Sequence, residues 1–324
     1  MSESLAPEPA LGSSAWLLFL TICLAWGLNY LFVVIGLGYA SPLWLAAARA
    51  GVGFGGIAAF LLAIRHTSAL DARARRDALL LGLPNTGAFL GLWFVAAQSV
   101  PAGETAILIY TFPLWVALLS PWVLGHRLTG RHWAAIGIGF GGIVLISQPW
   151  ALGAGAIQPL PFAELLGAAI CWAAGTVLMQ RRFHGAKQMR EANLYQLGGG
   201  AAALVVLAGL VNGQQLPQPT FALGLAIVWL GVIGTAYAYG AWYFLLSRIR
   251  ASTLAAYTFL VPLVTLIAAS IAFQERFTAF ELAGMGLVLG SIYLLGSAAS
   301  ARAPIRPVEL ATADRLDEGY VEIP

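Results

Sequence analysis

The sequence predicts an all-α integral membrane fold: ten transmembrane helices arranged as two inverted five-helix repeats around a central cavity. Three observations lead there. Sixty per cent of the 324 residues are hydrophobic and only 10% are charged, with a mean hydropathy of +0.81, values foreign to a soluble domain of this length. Ten apolar stretches each approach the roughly twenty residues that cross a bilayer. Finally, residues 81–147 moved forward by 149 positions fall on residues 230–296 without a gap.

In chain order the spans lie at 15–35, 43–64, 78–98, 104–124, 132–149, 162–180, 193–211, 221–246, 253–273 and 279–298. Proline, glycine and charge mark the breaks between them: Ser41-Pro42, the Arg65–Asp77 run, Val100-Pro101, His126–Arg131, Gln148–Pro161, Arg181–Glu191 and Asn212–Pro219. The fifth span is short and the eighth long, which predicts tilt or a break in both. Before the first span, Glu3 and Glu8 stand without any Lys or Arg, so the basic start of a cleaved signal peptide is missing. Residues 1–14 and 299–324 read as disordered tails.

Basic residues set the orientation. With the N-terminus inside, fifteen Lys and Arg fall in inner segments, only Arg276 falls in an outer one, and Arg49 lies within a helix. The positive-inside rule then places both termini in the cytoplasm. Five spans per half is an odd number, so the second half enters the membrane from the other side and the repeat is inverted. The halves are 15–149 and 162–298, joined by an extracytoplasmic linker at 150–161.

The repeat aligns residues that apolar composition alone does not bring into register. Of sixty-seven aligned positions about sixteen are identical, among them Trp93/Trp242, Pro113/Pro262, Arg127-x-Thr129/Arg276-x-Thr278 and Gly137-x-x-x-Gly141/Gly286-x-x-x-Gly290. Pro113 and Pro262 sit near the middle of the fourth and ninth spans, where each removes a backbone hydrogen bond and predicts a kink. Their recurrence favours hinges over static bends. Two stretches match GxGxxG, Gly51–Gly56 and Gly137–Gly142. Both lie inside bilayer-length apolar runs, without the strand and downstream acid that a dinucleotide site requires, so they read as close helix packing. That packing runs either within one chain or between two chains of a homodimer.

Candidate site residues follow from burying polar and aromatic groups in hydrocarbon. Asn29 and Thr176 are polar groups within spans, and Asn85, Phe89 and Trp93 recur at steps of four along one helix. An unpaired amide in hydrocarbon is costly, so it should face protein or a wet cavity. With them, Tyr30, Tyr110, Trp172, Tyr237, Tyr239, Trp242 and Tyr257 make an aromatic wall suited to flat or amphipathic solutes. Inversion puts Trp93 in the outer half of its helix and Trp242 in the inner half of its own, whereas Trp16, Trp150 and Trp229 read as interfacial anchors. Arg49 is the one charge clearly inside a span. It either pairs with Glu104 or faces the solute.

Other classes are disfavoured by what is missing. The four histidines lie in or beside inner loops with no catalytic motif around them. Cys23 and Cys171 sit in apolar runs and imply neither disulfide nor metal. Neither a charged ring nor a filter sequence points to a channel. Scattered basic residues and a net charge of +3 do not describe a nucleic-acid surface. No cofactor is expected; the partners are a small-molecule solute and the lipid bilayer.

The segment Ala25-Trp26-Gly27-Leu28-Asn29-Tyr30 opens the first half and Cys171-Trp172-Ala173-Ala174-Gly175-Thr176 the second. Pro42 and Arg49 follow in the second span, and each half closes with a proline-centred helix, a turn and a glycine-patterned helix. The second of those turns carries Glu275, the first His126. In these features residues 15–298 resemble the drug/metabolite transporter superfamily, specifically its ten-helix EamA type. The resemblance implies a secondary transporter working by alternating access, an exporter of small amphipathic metabolites across the bacterial inner membrane. Within the superfamily the aromatic amino-acid exporters are the most similar, with other neutral amino acids, drugs and other metabolites as alternatives.

Overall fold

The computed structural model describes residues 13–125, 129–147, 158–213, 217–258 and 260–300. The linker over most of its length, nearly all of both tails, and His126, Arg127 and Trp150 lie outside these. Every element among the described residues is helical. Ten helices follow in order: α1 (Ser13–Leu37), α2 (Pro42–Ala63), α3 (Ala72–Ala96), α4 (Ala102–Leu124), α5 (Gly130–Ser147), α6 (Pro159–Arg182), α7 (Gly185–Asn212), α8 (Phe221–Leu246), α9 (Ala251–Ala272) and α10 (Ala279–Ser300). Eight are long and apolar enough to cross a membrane, while the apolar parts of α5 and α10 are shorter.

Local sequence sets the boundaries. Pro42 and Pro159 open α2 and α6 from the first turn, where a missing N–H costs nothing. The Asp71 carboxylate accepts from Ala74 N (2.7 Å) to cap α3, and Thr220 caps α8 through Leu223 N (3.2 Å). Thr278 and Glu281 form a reciprocal capping box at α10. The expected starts of the third and seventh spans, 78 and 193, are too late. Arg73, Arg75 and Arg76, and Lys187, Arg190 and Glu191, are helical, because Ala, Arg, Lys and Glu are good helix formers that extend an apolar span into polar surroundings. The first helix begins at Ser13 and the last ends at Ser300.

The helices pack mainly across the repeat, and their contacts map onto one another when the halves are exchanged. The α1–α9 contact has its counterpart in α6–α4, α2–α8 in α7–α3, and α1–α8 in α6–α3; α2–α7 and α5–α10 are their own counterparts. Neither half forms a separate core. In the α5–α10 seam, a Cβ on Gly142 would lie 2.6 Å from Gly284 O and one on Gly284 2.7 Å from Gly142 O, so only glycine permits this approach. Gly137, Gly141, Gly286 and Gly290, the spacing-four pairs, have open space instead.

Two kinds of break interrupt the helices, each present in both halves. The first is a stretch of π-helix, Leu83–Ala88 in α3 and Trp229–Tyr237 in α8; shifted by 149, the first falls wholly within the second. The second divides α4 after Ile109 and α9 after Tyr257. Pro113 and Pro262 then lie in the first turn of the segments Phe112–Leu124 and Leu260–Phe273. The prolines thus follow the breaks rather than bend a continuous helix, because a first-turn N–H has no intrahelical acceptor to lose.

Candidate functional site

At the centre of the bundle, α1, α2, α3, α4, α6 and α8 enclose a cavity lined by Trp26, Asn29, Tyr30, Arg49, Phe89, Trp93, Ile109, Tyr110, Trp172 and Tyr239. Its free volume is about 10 Å³, room for about one water. The rings close on one another: Tyr30 lies 4.8 Å from Trp93, Phe89 5.5 Å from Trp93 and 5.2 Å from Trp172, and Trp26 meets Trp172 edge-on at 5.4 Å. Such pairs contribute about 0.5–1.5 kcal/mol each beyond area burial. The cavity is therefore held shut by contacts that are individually easy to exchange.

Polar atoms in this wall are left over. Arg49 is 1% exposed. Its Nε donates to Thr235 Oγ1 (3.1 Å), and its guanidinium carbon sits 4.9 Å from the Trp93 ring and 5.8 Å from Phe94. Its Nη1 has no hydrogen-bond partner, and neither have Asn29 Oδ1, Trp93 Nε1 and Trp172 Nε1. Keeping an ion from water costs several kcal/mol, whereas a desolvated cation–π contact contributes about 2 kcal/mol. Aromatic faces alone do not balance the charge.

No ion pair joins Arg49 to Glu104, which corrects one of the two sequence readings. Arg49 takes part in none of the ion pairs among the described residues. Glu104 stands in the first turn of α4, where its charged neighbours are Glu281 and Glu275. Glu275 caps that same turn, its two oxygens accepting from Ala102 N (2.8 Å) and Gly103 N (3.0 Å).

On the side of the cavity toward the face where α1 begins and α10 ends, the counterpart network is bonded throughout except at Asn85 Oδ1, which has no partner. Asn85 Nδ2 donates to Tyr243 Oη (2.5 Å) and Gln196 Oε1 (3.2 Å), Thr86 Oγ1 donates to Gln196 Oε1 (2.6 Å), and Gln196 Nε2 donates to Asn193 Oδ1 (3.0 Å). Thr86 and Thr235 are repeat partners in the two π-helical stretches. Gln196 therefore stands to Thr86 as Arg49 stands to Thr235. Beside this network Trp242, fully buried, packs on Trp26 (5.3 Å), Phe112 (6.1 Å) and Trp172 (6.2 Å), while Phe112 stacks on Trp172 at 3.8 Å. A wider surface basin of about 710 Å³ opens at the opposite face, between the α1–α2 turn and the ends of α3 and α7.

Seven of the twelve expected wall residues line the cavity: Asn29, Tyr30, Phe89, Trp93, Tyr110, Trp172 and Tyr239. Asn85 and Trp242 pack just beside it, and Thr176 is buried with its hydroxyl unpartnered. Tyr237 and Tyr257 do not belong to the wall. Tyr237 is 41% exposed, its hydroxyl 2.5 Å from Thr21 Oγ1, and Tyr257 packs on Trp16 and Phe19 near the start of α1. Tyr237 and Tyr239 are two residues apart, about 200° around a helix, so they cannot share a face. Trp26 was missed as a wall residue, though its alignment with Trp172 was visible; its Nε1 donates to Gly234 O (3.1 Å). Trp229, expected at the lipid interface, stacks on Phe32 at 4.7 Å.

Comparison with known proteins agrees with this architecture. The EamA-like transporter family model matches twice, at residues 13–148 and 162–297. Among curated relatives, an uncharacterized transporter, YvbV, of Bacillus subtilis is 27% identical over 287 residues, covering 88% of this chain and 92% of that protein. A probable amino-acid metabolite efflux pump of Escherichia coli is 26% identical over 289 residues, covering 86% and 93%. A solved crystal structure with 21% sequence identity superposes with a TM-score of 0.66 over 89% of this chain and 99% of that one, a likeness of fold. A twice-repeated family match across nearly the whole bundle, on helices that interlock as two equivalent sets, settles the family: the chain belongs to the EamA-like transporters.

Proposed function

We propose that this transporter exports small amphipathic metabolites by alternating access, with aromatic and other neutral amino acids as its cargo, from a cytoplasm that holds both termini across a bacterial inner membrane. The observation that carries the reading is the closed aromatic cavity between the two halves, with unpaired polar atoms in its wall. Apolar rings match the body of such a solute, and the leftover donors and acceptor match its polar end. The efflux-pump name of the Escherichia coli relative points the same way. A cationic drug fits less well, because no carboxylate lines the cavity and a buried cation already does.

In this reading the structure is the cargo-free closed state. A cavity of about 10 Å³ must open by parting Tyr30 from Trp93 on one side, or Trp242 from its ring partners on the other, to admit an amino acid. The test is a proteoliposome assay with labelled phenylalanine, tryptophan, leucine and lysine, run as counterflow with and without a pH gradient. Counterflow of phenylalanine and tryptophan well above that of lysine supports the reading. Empty-liposome rates for every amino acid would sink it.

A further inference from the structure

We infer that Arg49 is the anchor for a carboxylate on the cargo, so the transported class is aromatic carboxylates, for which an amino group is dispensable. The inference rests on the transporter reading above and adds the chemistry of its site. Arg49 is among the largest fully buried side chains, yet none of the ion pairs among the described residues includes it. Its geometry is fixed from behind: Nε is committed to Thr235 Oγ1, and that hydroxyl donates in turn to Leu230 O (2.8 Å) in the π-helical stretch of α8. Held this way, Arg49 contributes to the cavity wall and keeps Nη1 unpartnered.

The surroundings select the ligand's charge. The electrostatic neighbours of Arg49 are the hydroxyls of Tyr239, Tyr30 and Tyr110. Phenols can donate to the same anion that the guanidinium binds. A carboxylate completes the site by accepting from Nη1 and a tyrosine, and it removes the penalty of an uncompensated buried cation. A phosphate, with a second charge, would leave one negative charge unbalanced. For an ammonium group the cavity offers ring faces and Asn29 but no carboxylate, so the amine of an amino acid adds little. The flat faces of Trp93 and Trp172 take the aromatic body.

The test is binding of three small probes to the purified full-length chain in detergent, read by intrinsic tryptophan fluorescence and by thermal shift: phenylalanine, 3-phenylpropionate and phenethylamine. The two carboxylates are expected to bind the wild-type chain with affinities within about tenfold of each other, and phenethylamine at least about tenfold more weakly. Arg49→Gln should weaken both carboxylates about ten- to a hundredfold, the size of a lost charge-assisted hydrogen bond, and leave phenethylamine bound at least as tightly as before. Should Arg49→Gln fail to fold, the wild-type ranking of 3-phenylpropionate over phenethylamine decides alone. Phenethylamine binding as tightly as the carboxylates, a wild-type affinity for carboxylates in Arg49→Gln, or no carboxylate binding at all overturns the anchor. If 3-phenylpropionate binds through Arg49 and phenylalanine does not, the amino-acid reading falls and the anchor stands. If phenylalanine binds both forms alike, the anchor falls and the exporter stands.

Discussion

The amide of Asn29 lies directly against the backbone of Gly234: a Cβ on that glycine would sit 2.7 Å from Asn29 Cγ and closer still to its oxygen. The same contact recurs with its partners exchanged. Asn85 lies against Gly175, where a Cβ would overlap its side chain. Asn29 aligns with Gly175 in the opening motifs of the halves, and Asn85 aligns with Gly234 under the 149-residue shift. Each crossing of a first helix with the opposite π-helical stretch therefore uses one amide and one glycine, supplied in opposite order.

That contact makes a stability prediction. An alanine for a glycine inside an exposed helix gains about 0.5–1 kcal/mol, but overpacking a filled core costs about 1–3 kcal/mol. Gly234→Ala should therefore lower the melting temperature in detergent, and adding Asn29→Ala should recover part of the loss. Unchanged thermal unfolding of Gly234→Ala would show that the crossing relaxes freely.

Trp93 and Trp242 should behave differently despite being repeat partners. Trp242 is fully buried among Trp26, Trp172 and Phe112, so Trp242→Ala should cost about 3–5 kcal/mol of stability, as core Trp truncations do. Trp93 borders the cavity on the opposite side, over Arg49 and Tyr30. Trp93→Ala should weaken aromatic cargo by about 1–3 kcal/mol, measured as Kd in the fluorescence assay. Wild-type cargo affinity in Trp93→Ala would remove that ring from the path.

The broken helices make a kinetic prediction. Pro113 and Pro262 bar a continuous helix through the breaks after Ile109 and Tyr257. Alanine at either position permits an unbroken α4 or α9. Counterflow should slow several-fold while cargo affinity changes little, because the change acts on a conformational step. Counterflow rates equal to wild type in both variants would show the breaks to be static.

The orientation is tested by labelling. In a background lacking Cys23 and Cys171, Ala72→Cys and Ala279→Cys place exposed thiols on opposite faces of the bundle. An impermeant maleimide added to intact cells should label residue 279 and spare residue 72. The reverse pattern would turn the whole molecule over.

How far the sequence reached depends on the kind of signal. The repeat is written in pairs such as Trp93/Trp242 and Pro113/Pro262, so helix number, the two halves and the proline breaks were legible. The π-helical stretches were not: Pro84 falls in one, nothing comparable falls in the other, and i→i+5 bonding leaves no periodic mark on composition. Missing them misplaced Asn85. Counted at steps of four it shares a face with Phe89 and Trp93, but it lies inside the wound-out stretch and turns toward Gln196 and Tyr243. The glycine seam failed for another reason. Spacing four marks a stripe, but only the neighbouring helix decides that Gly142 and Gly284 are its contact points.

The exchange of Arg49 for Gln196 at matching positions has a thermodynamic consequence. Two identical halves would give a carrier whose two open forms are equal in free energy, with no preferred side of rest. A single guanidinium on one side of the pseudo-axis, with a fully bonded amide on the other, removes that degeneracy. If the proposed alternating access holds, this side chain contributes a resting bias to the empty carrier, and a bound anion, by neutralising it, would draw the two forms back toward parity. Directionality in such a machine does not need two different domains. It needs one broken pair.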